Sequence, residues 1–326
     1  MKNDKTTIAT RLARFQSVIA LALMLVGLGL SSDKFLTLEN GLNVLRQISI
    51  NLCLSLGMTL VILSGGIDLS VGSVLALSGA IAAGLLKNGI ALTAFGVALE
   101  FTVFGAIVAR LLVGIVLGAF NGVMITRLRL PPFVATLGML SIARGLTMLW
   151  TGGFPITGLG ATFGVMGTGQ WLGVPMPVWL GTALAALFVG LTHRTRFGRH
   201  VFAVGGNERA AVLSGLNVPR IKLLVYTRGG GLAAVSGLLV TSRLDSATPN
   251  AGFGYELDSI AAVVIGGTSL NGGRGSIWGT VLGCLIIGVL NNGLVLLEVS
   301  PFWQQVIKGT VILAAVAMDQ MHSRPA

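Results

Sequence analysis

Long apolar blocks alternate with short polar ones along the whole chain. A helix needs about 20 apolar residues to cross a hydrocarbon core, so the pattern predicts about ten spans. They fall near 16–31, 43–63, 70–86, 98–125, 132–150, 176–192, 222–241, 256–268, 277–297 and 303–319. The third, sixth and eighth are short, and 87–130 is long enough to hold an extra span or a re-entrant piece. No linker or low-complexity stretch divides the chain, so 1–326 reads as one transmembrane domain. The expected fold is an all-α integral membrane protein, a polytopic helical bundle. Residues 1–15 form a basic tail. The apolar run from Ser17 to Leu30 lacks a small-x-small cleavage site and reads as an uncleaved first span.

Charge orients the bundle. With the N-terminus inside and each span reversing direction, 14 Lys and Arg fall in inside segments and 3 in outside segments. Cytoplasmic loops collect Lys and Arg, so both termini are expected in the cytoplasm. The same clustering sets aside nucleic acid as the reason for the +11 net charge. Composition agrees: 10% of residues are charged, against about 25% in a soluble domain, so a water-facing surface cannot be coated. The 47 glycines suit closely packed membrane helices.

Two long loops stand out. Gly152–Pro175, nearly uncharged, is assigned outside. His193–Ile221 is basic and inside, and Asn207–Ser214 reads as a short helix with Asn207 as N-cap and Gly215 as its stop. Its small residues suit insertion into a partner's cleft, although the surrounding arginines also fix topology. A faint repeat relates Gly65-Gly-Ile-Asp-Leu-Ser-Val-Gly72 to Gly266-Gly-Thr-Ser-Leu-Asn-Gly-Gly273. Each is followed by a glycine-spaced helix ending in Asn-Gly, at Asn121 and at Asn292. Such breaks mark binding sites in many transporters, and chance likeness of Gly-rich helices is the alternative.

The polar residues within apolar runs are the candidates for a pathway. Asp68 and Ser70 sit at the first break, and Thr268, Ser269 and Asn271 at the second. Asp68 suits either a cap for the helix that starts near Leu69 or a place beside the pathway. Asn121, Asn291 and Asn292 suit either a neutral polar solute or bonds between helices. Arg228, about 9 Å into its span, is expected to snorkel back to the interface. No carboxylate ladder suggests a proton relay. No Gly-x-x-x-x-Gly-Lys-Ser/Thr loop, His-Glu-x-x-His or Gly-x-Ser-x-Gly is present. Cys53 and Cys284 lie in apolar runs and imply neither a disulfide framework nor a metal site. No cofactor or catalytic residue is expected in this chain, and any ATP would be hydrolysed elsewhere.

Several stretches together resemble a known family. They include Gly57–Ser73, Pro132-Phe-Val-Ala-Thr-Leu-Gly138, Arg196-Phe-Gly-Arg199, Gly205-Gly-Asn-Glu-Arg-Ala-Ala211, Tyr255–Leu270 and Asn291-Asn-Gly-Leu294. Over roughly Phe35 to Asp319 the chain resembles the membrane-spanning permease of bacterial ABC importers for monosaccharides, the ribose-permease family. The resemblance implies a pathway-forming subunit in the bacterial inner membrane, paired with a second permease copy or paralogue. It further implies cytoplasmic cassette subunits holding ATP and Mg, and a periplasmic sugar-binding protein. Within a coupling loop at 193–221, it carries Glu208, Ala210, Ala211 and Gly215 over as cassette contacts. The sequence departs from the family at Arg228-Gly-Gly-Gly and between Asn88 and Arg110. Permeases for autoinducer-2 or branched-chain amino acids, and an ion-coupled secondary transporter, are the competing readings. A membrane enzyme lacks its constellation.

Overall fold

The computed structural model describes the backbone of residues 4–92 and 97–323, and side chains for 17–90, 99–317 and 319. Residues 1–3, the basic side chains of the N-terminal tail and Arg324 lie outside that description. Thirteen α-helices make up almost all of what is described. They are α1 (Asp4–Ser31), α2 (Leu38–Leu63), α3 (Val71–Asn88), α4 (Val103–Thr126), α5 (Pro132–Thr151), α6 (Ala161–Thr168) and α7 (Met176–Arg194). They continue as α8 (Arg196–Gly206), α9 (Glu208–Leu213), α10 (Val218–Leu244), α11 (Tyr255–Ile265), α12 (Ile277–Leu296) and α13 (Pro301–Ser323). Side-chain caps start many of them. Thr37, Thr102, Thr195, Asn207, Asn217 and Ser276 each accept a backbone N–H of the first turn.

Each predicted span coincides with a helix, but the helices are not equivalent. Seven are long and apolar enough to cross a membrane: α2, α3, α4, α5, α7, α10 and α12. The chain is thus a multi-pass, all-α membrane protein. In α1 the apolar part is Ser17–Ser31. At 11 residues, α11 rises only about 16 Å, half a hydrocarbon core, so the eighth predicted span is not a full crossing. Between 87 and 130 the described residues contain no span besides α4. Ile90–Leu92 (β1) and Val97–Leu99 (β2) pair there as a short antiparallel hairpin.

Burial sorts the helices into layers. In α2 and α3, 78% of the most apolar window is buried, and in α10 67%; in α4, α5 and α7 the share is 22–28%. The outer helices therefore turn leucines, valines and phenylalanines to the surroundings, as lipid-facing helices do. The tightest crossing joins α4 to α10. A Cβ on Gly230 would overlap the Gly114 carbonyl oxygen and reach Gly118 Cα at 2.9 Å, so the two backbones touch. Of the three glycines after Arg228, this packing requires Gly230. Arg228 forms no ion pair with a carboxylate among the described residues, and its guanidinium lies 3.9 Å from the centroid of the Phe197 ring on α8.

The bundle has two distinct ends. At one, the turns 64–70 and 266–276 meet the end of α8, which leads into α9. At the other, β3 (Ile156–Thr157) pairs with β6 (Ser246–Ala247), and Lys87 reaches the Gly158 carbonyl.

Candidate functional site

One face of α2 is polar although the helix is otherwise apolar. Asn40, Asn43, Gln47 and Asn51 recur at three- and four-residue spacing and share one stripe, continued by Ser55 and Thr59. Inside a bilayer such groups require partners or water. Asn40 and Asn292 of α12 exchange amide hydrogen bonds at 2.8 and 3.0 Å. Asn43 Oδ1 accepts from Arg243 Nη2 at 3.1 Å, and Thr59 meets Thr280 at 2.7 Å. Asn51 Oδ1 accepts from Ser259 Oγ at 3.4 Å, Ser55 is buried, and Gln47 and Asn51 border open space.

That space consists of two adjoining cavities. The larger, ≈ 650 Å³, opens at the β3–β6 end and is lined by Lys34, Thr37, Glu39, Asn40, Asn43, Arg46 and Gln170. The deeper, ≈ 230 Å³, is lined by Gln47, Asn51, Arg243, Tyr255, Asp258, Asn291, Gln304 and Lys308. They meet at the Asn43–Arg243 hydrogen bond. Lys308 Nζ and Asp258 form an ion pair at 3.2 Å in the wall. Asn291 Oδ1 and Arg46 Nε are buried without a partner among the described residues. Amides, a phenol and guanidinium groups around a cavity of this size can donate to and accept from a neutral polyhydroxy solute.

A re-entrant segment builds the deep wall. Thr241, near the end of α10, packs at Gly79 of α3, yet the Gly252 carbonyl packs at Gly72. Seven residues of α3 separate these points, so the chain turns back into the bundle by about 10 Å before α11 begins. Gly252 (φ +70°) takes the left-handed backbone of this turn, and with no side chain on Gly72 the two backbones touch. The half-helix α11 then starts at mid-depth with Tyr255 and Asp258 in the cavity wall, the arrangement of discontinuous helices at transporter sites.

The residues singled out from sequence separate into three groups. Asn291 lines the cavity, and Asn292 is held by Asn40 beside it. Asp68, Ser70 and Asn121 form a buried chain near the α8–α9 end instead. Asp68 Oδ1 accepts from Ser70 N at 2.8 Å and Ser70 Oγ at 2.6 Å, and Asn121 Nδ2 donates to Ser70 Oγ at 2.9 Å. Asp68 thus holds Ser70, the N-cap of α3, and accepts from no N–H of that helix's first turn. Thr268, Ser269 and Asn271 shape the turn 266–276, where Ser269 Oγ accepts from Asn271 N and Asp319 accepts from Leu270 N. Neither of the last two groups lines the cavity.

The short helix expected at Asn207–Ser214 is α9. Asn207 Oδ1 accepts from Ala210 N at 2.9 Å, and Gly215 turns out at φ +81°. Glu208, Ala210 and Gly215 are exposed, and Glu208 pairs with Lys222 at 2.7 Å. Ala211 is a correction: it is buried in the chain's own core, because the turn after α9 folds back and Leu216 N bonds to its carbonyl. The outward apolar surface of α9 is Val212 and Leu213, the latter 88% exposed. Most of the cavity is not singled out by the sequence: Arg46, Gln47, Asn51, Arg243, Tyr255, Asp258 and Gln304. The period of 40, 43, 47 and 51 within an apolar helix was the signal for the first wall.

A multi-pass helical bundle with a polar cavity between its helices is the architecture of a membrane permease, and comparison with known proteins narrows the class. A family described as the permease component of branched-chain amino acid transport systems matches residues 40–316. The ribose import permease protein of Bacillus subtilis (strain 168) is 48% identical over 308 residues, 94% of this chain and 92% of the relative. That of Haemophilus influenzae (strain ATCC 51907 / DSM 11121 / KW20 / Rd) is 45% identical over 325 residues, 98% and 97%. The D-allose transport system permease protein of Escherichia coli (strain K12) is 38% identical over 307 residues, 94% and 91%. No solved structure matches. The chain belongs to the ribose-permease family of ABC importer membrane subunits.

Proposed function

We propose that this chain forms the translocation pathway of an ATP-driven importer for ribose or a similar neutral monosaccharide in the bacterial inner membrane. The observation that carries the reading is the amide stripe of α2 facing Asn291 and Tyr255 across a cavity open at one end. The identity to ribose and allose permeases supports a sugar over a branched-chain amino acid. A cavity lined by amides, with Lys308 already neutralised by Asp258, suits hydroxyl groups rather than an aliphatic side chain.

In this reading the helices supply ten passages, with α11 and its re-entrant loop together making one, and both termini lie in the cytoplasm. A second permease copy completes the pathway. Cassette subunits bearing ATP and Mg dock on α9 through Glu208, Ala210 and Gly215 together with Val212 and Leu213. A periplasmic binding protein delivers sugar at the β3–β6 end. ATP-driven closure of the cassettes moves α9 and switches which end of the pathway is open.

Uptake of radiolabelled D-ribose by cells carrying the complete importer tests this. Asn51→Leu and Asn291→Leu each remove hydrogen-bonding capacity from the cavity, so each should lower uptake about tenfold at unchanged membrane level. Ser141→Ala, on the outer face of α5, should leave it unaltered. Normal uptake by both cavity variants would overturn the assignment.

A further inference from the structure

Arg144 sits in the middle of α5, outside the cavity, yet its Nη1 donates to two carbonyls of the re-entrant segment: Pro249 O at 2.6 Å and Ala251 O at 2.9 Å. No other side-chain hydrogen bond between the described residues holds 248–252. This segment is irregular backbone at membrane depth, where each carbonyl without a partner is costly, and a charged donor is the strong way to satisfy two of them. Three residues beyond Ala251 comes Gly254, the N-cap of α11, and then Tyr255 and Asp258 in the cavity wall. Gly252 has its carbonyl against Gly72 of α3, so the loop is pinned from two sides, by a backbone contact and by one guanidinium.

We infer that Arg144 is a positioning residue for the solute cavity, setting the depth and orientation of the half-helix α11 through the carbonyls of Pro249 and Ala251. The inference deepens the sugar-pathway reading, and its geometric part stands apart from which solute is carried. A bystander arginine reaching for the nearest carbonyl would bond wherever the loop happened to lie. Here the two acceptors flank Asn250 at the turn that launches α11, and releasing them frees the wall carrying Tyr255 while leaving α2 untouched.

The experiment uses single-cysteine reporters in the full-length protein within its importer complex. Cys53 and Cys284 are buried and stay silent toward a membrane-impermeant maleimide. Tyr255→Cys reports the α11 wall, and Glu39→Cys reports the cavity mouth on α2. Arg144→Gln should change the labelling rate of Tyr255→Cys about tenfold, the equilibrium effect of one lost charged hydrogen bond, with Glu39→Cys unchanged. Arg144→Lys should restore most of the difference, because an ammonium can still donate to both carbonyls. Where Arg144→Gln fails to reach the membrane, Arg144→His, with a single ring N–H in reach of the two carbonyls, carries the comparison against the parent, with a shift of Tyr255→Cys alone expected. Equal labelling of Tyr255→Cys with and without the substitution, or equal changes at both reporters, would overturn the inference. Protection of Tyr255→Cys by D-ribose is scored separately. Its absence alongside an Arg144-dependent shift would remove the sugar reading and leave the positioning role standing.

Discussion

Gly205→Ala provides the sharpest test of how α9 connects to the bundle. Gly205 is next to last in α8, two residues before the Asn207 cap of α9. It lies on the junction of the two glycine turns, where Gly273 N donates to Leu63 O at 3.0 Å. A methyl group there would overlap the Leu63 carbonyl oxygen and stand 2.6 Å from Gly273 N. Ordinary contact needs about 3.5–4.0 Å, so α8, α2 or the 266–276 turn must retreat by about 1 Å or more. Overpacking costs about 1–3 kcal/mol, and stranding a buried hydrogen-bonding group costs a similar amount. The total, about 2–6 kcal/mol, is large against a typical folding stability of about 5–15 kcal/mol. The control is the neighbouring residue: a Cβ on Gly206 meets nothing within 4 Å. Unfolding midpoint in detergent and ribose uptake at matched membrane level should both fall for Gly205→Ala. Both should be preserved for Gly206→Ala. If the two variants behave alike, the backbone junction does not have the tightness described here and the argument fails.

Two further substitutions test charges inside the bundle. Arg228→Leu removes a guanidinium stacked on Phe197, a contact of about 0.5–2 kcal/mol, well below the 3–5 kcal/mol of a stranded buried ion-pair partner. Unfolding midpoints of Arg228→Leu, Phe197→Leu and the double variant should show the second substitution adding little to the first, and full additivity would refute the stack. Arg110 is wholly buried between α3 and α10, with none of its guanidinium nitrogens partnered among the described residues. Arg110→Met should therefore leave the unfolding midpoint unchanged or raise it, because removing an unpaired buried charge strands nothing. A large drop would mean that a partner is present.

How far the sequence reaches depends on the kind of signal. Span positions were legible because twenty apolar residues have one common fate in a bilayer, and α9 was legible because Asn207 and Gly215 are local start and stop signals. The half-length of α11 was less visible: 256–268 is apolar enough to pass for a span, and only the backbone contact of Gly252 with Gly72 reveals that it starts at mid-depth. The amphipathic α8 was passed over for a similar reason. Its arginines read as topology markers, and nothing local announces that Gly205 must reach the Leu63 carbonyl. Ala211 misled because smallness serves an outward cleft and an inward core equally well. The cavity is not marked by charges or glycine breaks, because its first wall is written as uncharged amides at helical spacing. Arg243, Tyr255 and Lys308 come from three other helices, and only the tertiary structure brings them to Asn51.

The two ends of the bundle are joined by the elements that carry the candidate site. The first half of α2 bears the amide stripe, and the same helix ends at Leu63, whose carbonyl accepts Gly273 N against Gly205. Tyr255 in the cavity wall begins α11, which runs into the turn 266–276 containing Gly273. A helix of 11 or 26 residues with its backbone hydrogen bonds intact moves as a rigid rod on the scale of a side chain. A displacement of α8 into the Leu63–Gly273 junction must therefore either break that hydrogen bond or push on α2 and α11. Because these two helices both line the deep cavity, a displacement that moves them by unequal amounts changes the separation of Asn51 and Tyr255. The glycines at the junction make such transmission direct: with no side chains between the backbones, there is no rotamer to absorb the motion.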